Sequence, residues 1–296
     1  MLTKTINLFL GNPVSKIKLT LIFLLLIGLL ILILDFSTTK SFLSFIGTTN
    51  IIHQIKDQDG FVNYRKVTKR NLLNFKGTIF IFPPTGGENI VDRLYARQLA
   101  IKGYEVFILQ KWTGYEIETI NYELHNSFYG SAQVALNKVL KYSSTKNYGV
   151  LGTSVGALHA SVTMATNPYI KTGFIIVGGL PIPEVIIFSN QPAMTELKSK
   201  RYTKYNLKND EQYLKELSQV FKFEPTTQHA NYSIGKKIGS IVSTNDELVP
   251  YLNQQKANDF FKASSVEVSH LNHVNTVAWY GLFNRSKVVD FFVENL

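Results

Sequence analysis

The sequence predicts an α/β protein with a mostly parallel central sheet, and three observations carry that expectation. Short apolar runs rich in β-branched and aromatic residues lie at 77–83, 104–109, 148–151 and 171–177, each of strand length and bounded by Gly or Pro. Between them, 92–102 and 127–142 read as helices, the first closed by Gly103; strand, helix and strand at this spacing form parallel pairs joined by crossovers. The third observation is composition. A chain of 296 residues with 45% hydrophobic and 18% charged content can build one large core or at most two modest ones, and we expect one.

The N-terminus is of a different kind. Residues 1–18 carry Lys4, Lys16 and Lys18 and no acid, and 19–34 are sixteen uncharged residues, mostly Leu and Ile. As a helix this run spans about 24 Å, short of a hydrocarbon core of about 30 Å unless Lys18 snorkels. It is long for a signal-peptide core and no Ala-x-Ala site follows it. We therefore expect 1–37 to be a short cytoplasmic tail and an uncleaved transmembrane anchor. Because lysine excess marks the inner side, the chain is expected to be single-pass in the cytoplasmic membrane, with its body on the extracytoplasmic side. Residues 38–58 read as a linker and 59–296 as the folded domain. The basic cluster Arg65, Lys66, Lys69 and Arg70 reads as a solvated strand edge and turn, with contact to anionic headgroups the functional alternative.

Residues 180–237 interrupt the strand rhythm with polar, basic and mixed sequence containing one helical stretch, 210–221; a cap inserted between two strands is the expectation. Strands resume at 238–243 and 265–268, and an amphipathic helix at 286–294 closes the chain. The formal net charge of +10 fits nucleic acid, an anionic membrane surface or a basic proteome. No basic helix with interleaved aromatics and no nucleic-acid-binding motif occurs, so no nucleic-acid partner is expected. Cysteine is absent, which excludes disulfides, a lipidated N-terminal Cys, Cys-ligated zinc and a thiol nucleophile. His53, His125, His159 and His229 are isolated and no His-Glu-x-x-His spacing exists, so neither a metal nor another cofactor is expected. No feature of the sequence bears on oligomeric state.

The chemistry centres on 148–160, where an apolar strand runs through Gly152-Thr153-Ser154-Val155-Gly156 into an Ala-, Leu- and Val-rich helix. A serine at such a corner either caps the helix or lifts its hydroxyl above the sheet as a nucleophile. A serine hydroxyl is a poor nucleophile at neutral pH and needs an imidazole base, which in turn needs a carboxylate on its other nitrogen. Asp246, in Asn245-Asp246-Glu247-Leu248-Val249-Pro250 just past a strand, would lie at the strands' carboxyl ends, as would Ser154. Glu247 is the alternative acid.

With the loop Phe82-Pro83-Pro84-Thr85-Gly86-Gly87, the Ser154 elbow, the Asp246 loop and a histidine after the last strand arriving in that order, the chain from about residue 59 onward resembles the α/β-hydrolase superfamily, esterase- and lipase-like serine hydrolases. The resemblance implies a triad of Ser154, Asp246 and a histidine. His273 is 27 residues past Asp246 and His270 is 24; His273 is the chosen base and His270 the alternative, since spacing does not separate them. It also implies an oxyanion hole from the amides of Val155 and Thr85. Here the chain departs from the superfamily, with Pro83-Pro84 where a His-Gly pair is common; proline has no amide hydrogen, so Thr85 or Gly86 must donate. The expected function is hydrolysis of a carboxylic ester, with thioester and peptide bonds as alternatives and a small-molecule acyl ester or a lipid as substrate. A non-catalytic binding protein on the same scaffold is the rival reading.

Overall fold

Alternating side chains on short strands give the sheet two apolar faces, and helices cover both. The computed structural model describes residues 46–58, 60–113, 120–228 and 235–296. Among these, eight strands form one sheet: β1 (Thr48–Asp57), β2 (Gly60–Lys69), β3 (Thr78–Phe82), β4 (Glu105–Thr113), β5 (Tyr148–Thr153), β6 (Ile170–Ile176), β7 (Lys237–Ser243) and β8 (Ser265–Ser269), in the order β1-β2-β4-β3-β5-β6-β7-β8. The six strands from β4 to β8 are parallel, and β2 is antiparallel to both β1 and β4. The predicted anchor at 19–34 lies outside the described residues; among those described, no helix is long and apolar enough to cross a membrane.

Strand β3 shows the logic. Phe80 and Phe82 enter one hydrophobic cluster and Ile79 and Ile81 the other, all fully buried, as a period of two requires. Helix α1 (Ile90–Ile101) covers the Ile79 face through Tyr95 and Leu99, and two C-terminal helices, α9 (His273–Leu282) and α10 (Ser286–Asn295), join it there through Tyr280, Val288 and Phe292. On the other face lie α2 (Glu123–Leu140) and α3 (Val155–Thr166), through Leu136, Val139, Leu158 and Val162.

Between β6 and β7 come α4 (Ile182–Phe188), α5 (Pro192–Tyr205), α6 (Asp210–Val220) and α7 (Pro225–Gln228), where the sequence suggested one helix. This cap is pinned by Arg201 of α5, which is completely buried. Its guanidinium donates to the carbonyls of Ile120 and Asn121 at 2.8 Å, to the Tyr213 hydroxyl at 2.8 Å and to His125 Nε2 at 2.7 Å. Arginine has no acceptor, so Nε2 accepts and the proton of neutral His125 sits on Nδ1. Burial, with the Arg201 charge adding to it, holds the His125 pKa down at about 3. A further helix, α8 (Tyr251–Phe261), follows β7.

The sheet also extends N-terminally of the domain boundary read at 59. Strand β1 occupies the second half of the predicted linker, pairing all ten of its residues with β2, and residues from Gly47 onward form one compact unit. Ile51, Ile52 and Ile55 lie on an edge strand whose residues are mostly exposed or half-buried, so no clean apolar alternation announces it.

At the start of α1, Asn89 and Asp92 form a reciprocal cap: the Asn89 side chain accepts from the amides of Val91 and Asp92, and Oδ2 of the Asp92 carboxyl group accepts from the Asn89 amide at 3.0 Å. Asp92 is fully buried and its other oxygen has no hydrogen-bond partner among the described residues. Burial, the largest cause, pushes its pKa from an ordinary 3.8 up to about 7. The native carboxyl therefore keeps its proton up to about pH 7, whereas the unfolded chain loses it near pH 4; across that window the native state binds more protons and stability falls as pH rises. Asp92→Asn keeps the acceptor for Asn89 and removes the titration. Urea unfolding should show the variant gaining on wild type between about pH 5 and about pH 8, by ~3 kcal/mol.

Candidate active site

One residue turns the chain from β5 into α3. Thr153 ends the strand, Val155 begins the helix, and Ser154 between them has φ +57° and ψ −122°, a conformation that L-residues rarely adopt. Its amide donates to the Ile176 carbonyl of β6 at 2.9 Å, which holds the corner against the neighbouring strand. The two flanking glycines are there for space. A Cβ on Gly152 would lie 2.2 Å from the Gly156 carbonyl oxygen, and one on Gly156 would lie 2.1 Å from the Phe82 carbonyl oxygen and 2.5 Å from that of Pro83. The first contact lets the helix fold back on its own strand; the second seats the elbow against the loop after β3.

Ser154 occupies the helix N-cap position, but its side chain makes no cap hydrogen bond. Its hydroxyl instead lies 2.8 Å from His273 Nε2, and His273 Nδ1 lies 2.7 Å from Asp246 Oδ2. An ionised carboxylate only accepts, so Nδ1 carries the imidazole proton and Nε2 is left to accept from the Ser154 hydroxyl. Both partners of that hydrogen bond are sequestered, the Asp246 side chain fully and that of His273 to 8% exposure. The second Asp246 oxygen accepts from the amides of Leu248 and Val249, each at 2.8 Å, so the acid is anchored by its own loop.

His273 is the first residue of α9, which Asn272 caps by accepting from the Asn275 amide at 2.9 Å. Below it, the hydroxyls of Ser269 and Thr276 lie 2.9 Å apart, and Ser243 Oγ donates to the Leu271 carbonyl. These bonds hold the turn that carries the imidazole. His270, the alternative base, is exposed and points elsewhere, with Nδ1 3.1 Å from Thr244 Oγ1. Glu247, the alternative acid, is also exposed.

Of the two expected oxyanion donors, Val155 opens α3, where the first amides of a helix have no intrahelical carbonyl and sit at the positive end of its dipole. Thr85 lies within the turn closed by the Gly87 amide on the Pro84 carbonyl at 3.0 Å, immediately beyond the Phe82-Pro83 carbonyls that Gly156 abuts. Gly86 and Gly87 have φ +94° and +88°, which a side chain would resist.

Sequence reading missed Gln254. It lies fully buried on α8, donates to Asp246 Oδ2 at 3.0 Å and to the Val249 carbonyl at 2.8 Å, and accepts from the Ser243 amide at 2.9 Å. It therefore ties both ends of the acid loop to one helix. Nothing local marks it, because α8 itself reads as polar sequence. His159, on α3, packs among Phe82, Phe128 and Tyr129, and burial lowers its pKa to about 3; it is a neutral core residue.

The sequence matches no protein-family model and no curated protein. Its fold is nonetheless shared. An esterase of Pyrococcus furiosus superposes with a TM-score of 0.57 at 17% identity, over 86% of this chain and 95% of that one. Est1E of Butyrivibrio proteoclasticus gives 0.58 at 13%, over 82% and 98%. An acylaminoacyl peptidase of Pyrococcus horikoshii gives 0.58 at 12%, over 83% of this chain and 41% of that one. The chain has the α/β-hydrolase fold.

The backbone at position 154 stores strain that a glycine would not feel. Ser154→Gly and Ser154→Ala both lack the hydroxyl, so their difference isolates the backbone: thermal or urea unfolding should find the glycine variant more stable by about 1 to 3 kcal/mol.

Proposed function

We propose that this chain is a serine hydrolase that cleaves a carboxylic ester or a related acyl bond through a covalent acyl-enzyme. The observation that carries this reading is the continuous relay from Ser154 Oγ to His273 Nε2 at 2.8 Å and from His273 Nδ1 to Asp246 Oδ2 at 2.7 Å. As Ser154 Oγ attacks the acyl carbon, its proton passes to His273 Nε2, and the buried Asp246 carboxylate stabilises the imidazolium. The amides of Val155 and Thr85 receive the oxyanion, each donor worth roughly 3 kcal/mol. Collapse of the tetrahedral intermediate expels the alcohol, which takes the proton from His273. Water then gives a proton back to His273 and attacks the acyl-enzyme, and the acid leaves as Ser154 recovers its hydrogen.

An ester is favoured over an amide because an alkoxide leaves with less assistance than an amine. The shared fold includes an esterase, a thioesterase domain and an acylaminoacyl peptidase, so thioester and peptide bonds are the alternatives. The sixteen uncharged residues at 19–34, after Lys4, Lys16 and Lys18, support a single-pass anchor in the cytoplasmic membrane with the hydrolase on the extracytoplasmic side.

A fluorophosphonate probe should label wild type and not Ser154→Ala. Hydrolysis of a chain-length series of acyl esters should fall at least ~10³-fold in kcat for His273→Ala and stay within a few-fold of wild type for His270→Ala. Folded wild-type protein that neither labels nor turns over any ester would overturn the reading in favour of a binding protein.

A further inference from the structure

The two ends of the parallel sheet differ in charge, and the difference follows the topology. At the end where the parallel strands begin, every approach to a strand carries an exposed lysine: Lys76 before β3, Lys102 before β4, Lys146 before β5, Lys171 in β6, Lys237 opening β7 and Lys262 before β8. Their strand starts are in register, Thr78 opposite Glu105 and Tyr148, Thr172 opposite Lys237, Gly239 opposite Ser265. At about 4.8 Å per strand, the row from β4 to β8 is roughly 24 Å long. The acids at this end among the described residues are Glu105, buried and paired with Lys66 at 2.6 Å, together with Asp259, Glu294 and the terminal carboxylate.

The opposite end has the reverse character. The described loops that leave the parallel strands there, 83–89, 177–181, 244–250 and 270–272 along with Ser154, contain no Lys or Arg and hold Glu88, Asp246 and Glu247, while the exposed Lys111 stands near the close of β4. The cap mixes both signs in pairs such as Lys198 with Asp210 and Lys200 with Glu196.

Two further observations select what the basic end meets. Large apolar side chains stand exposed among its lysines: Leu73 at 89%, Tyr142 at 53% and Tyr169 at 66%, in the turns before β3, β5 and β6. A solvated basic rim has no use for them, whereas a lipid headgroup layer accepts aromatic and aliphatic groups beside cations. The chain also enters the fold here. The Gly47 carbonyl, directly before β1, accepts from the Arg70 amide at 2.9 Å, next to Lys69. The twelve residues between Leu34 and Gly47, even fully extended, reach no more than roughly 40 Å.

We propose that this end of the sheet docks on an anionic lipid bilayer, with Ser154 facing away from it. The proposal rests on the anchored-hydrolase reading for its tether, and it deepens that reading. β5 separates the two ends by roughly 20 Å, so the site opens toward the aqueous side and takes its acyl ester from there. A lipid of the same leaflet is out of reach.

The absence of cysteine makes the test direct. Leu73→Cys and Tyr169→Cys report the basic end; Phe188→Cys and Val274→Cys, exposed residues on the cap and beside His273, report the other. Each full-length variant, carrying one fluorophore, is reconstituted into phosphatidylcholine vesicles with or without phosphatidylglycerol, both doped with a nickel-chelating headgroup lipid as quencher. Labels at 73 and 169 should be quenched on the anionic vesicles, and those at 188 and 274 should stay bright. High salt, or the combined Lys76→Gln, Lys102→Gln, Lys146→Gln and Lys171→Gln changes, should return quenching at 169 to its level on pure phosphatidylcholine while leaving hydrolysis of soluble esters at the wild-type rate. Stronger quenching at 188 and 274, equal quenching at 73 and 169 on both vesicle types, or tighter binding to single-stranded RNA than to the anionic vesicles would each overturn the docking proposal. Any of these in a chain that floats with vesicles and hydrolyses esters overturns docking alone. A chain that does not float with any vesicle overturns the anchor and the docking together.

Discussion

The approach of α3 to the end of β5, and of both to the loop after β3, is the contact from which the rest of the site takes its position. At Gly152 and Gly156 the backbone of one element lies where another residue's Cβ would be, 2.2 Å and 2.1 Å from carbonyl oxygens. That proximity forces Ser154 into its strained conformation, and the strain lifts its hydroxyl off the helix it would otherwise cap. The same packing seats the start of α3 against the carbonyls of Phe82 and Pro83, directly before the Pro84–Gly87 turn.

Around this corner, polarity is conferred by groups whose hydrogen-bonding roles have no ambiguity. The Asp246 carboxylate can only accept, and it receives two loop amides, the Gln254 amide group and His273 Nδ1. The direction of every later hydrogen bond follows, out to the Ser154 hydroxyl. Arg201, in the cap, sets the tautomer of His125 on α2 by the opposite logic, since it can only donate. In both places a group of fixed character, held in a buried environment where an unmet polar atom is expensive, orients a neutral imidazole.

The sheet separates these tasks along its own axis. Loops that leave the parallel strands carry the relay and acids, and turns that enter them carry lysines and exposed aromatics. Parallel topology makes this division available, because all six strands point the same way and every crossover returns to the same end.

Much of this was legible in residue order. The apolar runs of β3 to β8 have the length and composition of buried strands, and Gly-x-Ser-x-Gly between a strand and a helix states a steric requirement in its own letters. The β1–β2 hairpin was not legible, since edge strands bury little and so carry little apolar pattern. The helices α8 and α9 were missed for a related reason: half of their buried positions are filled by Asn253, Gln254, His273 and Thr276, polar residues whose burial depends on partners distant in sequence. The sequence by itself determined a parallel α/β core with a serine at a strand-to-helix corner and two histidines at equivalent spacing from one acid. Only the tertiary structure decided between them. A spacing of 24 or 27 residues leaves both within reach, whereas the cap of α9 and the Ser243, Ser269 and Thr276 hydroxyls turn His273 toward Ser154 and leave His270 in solvent.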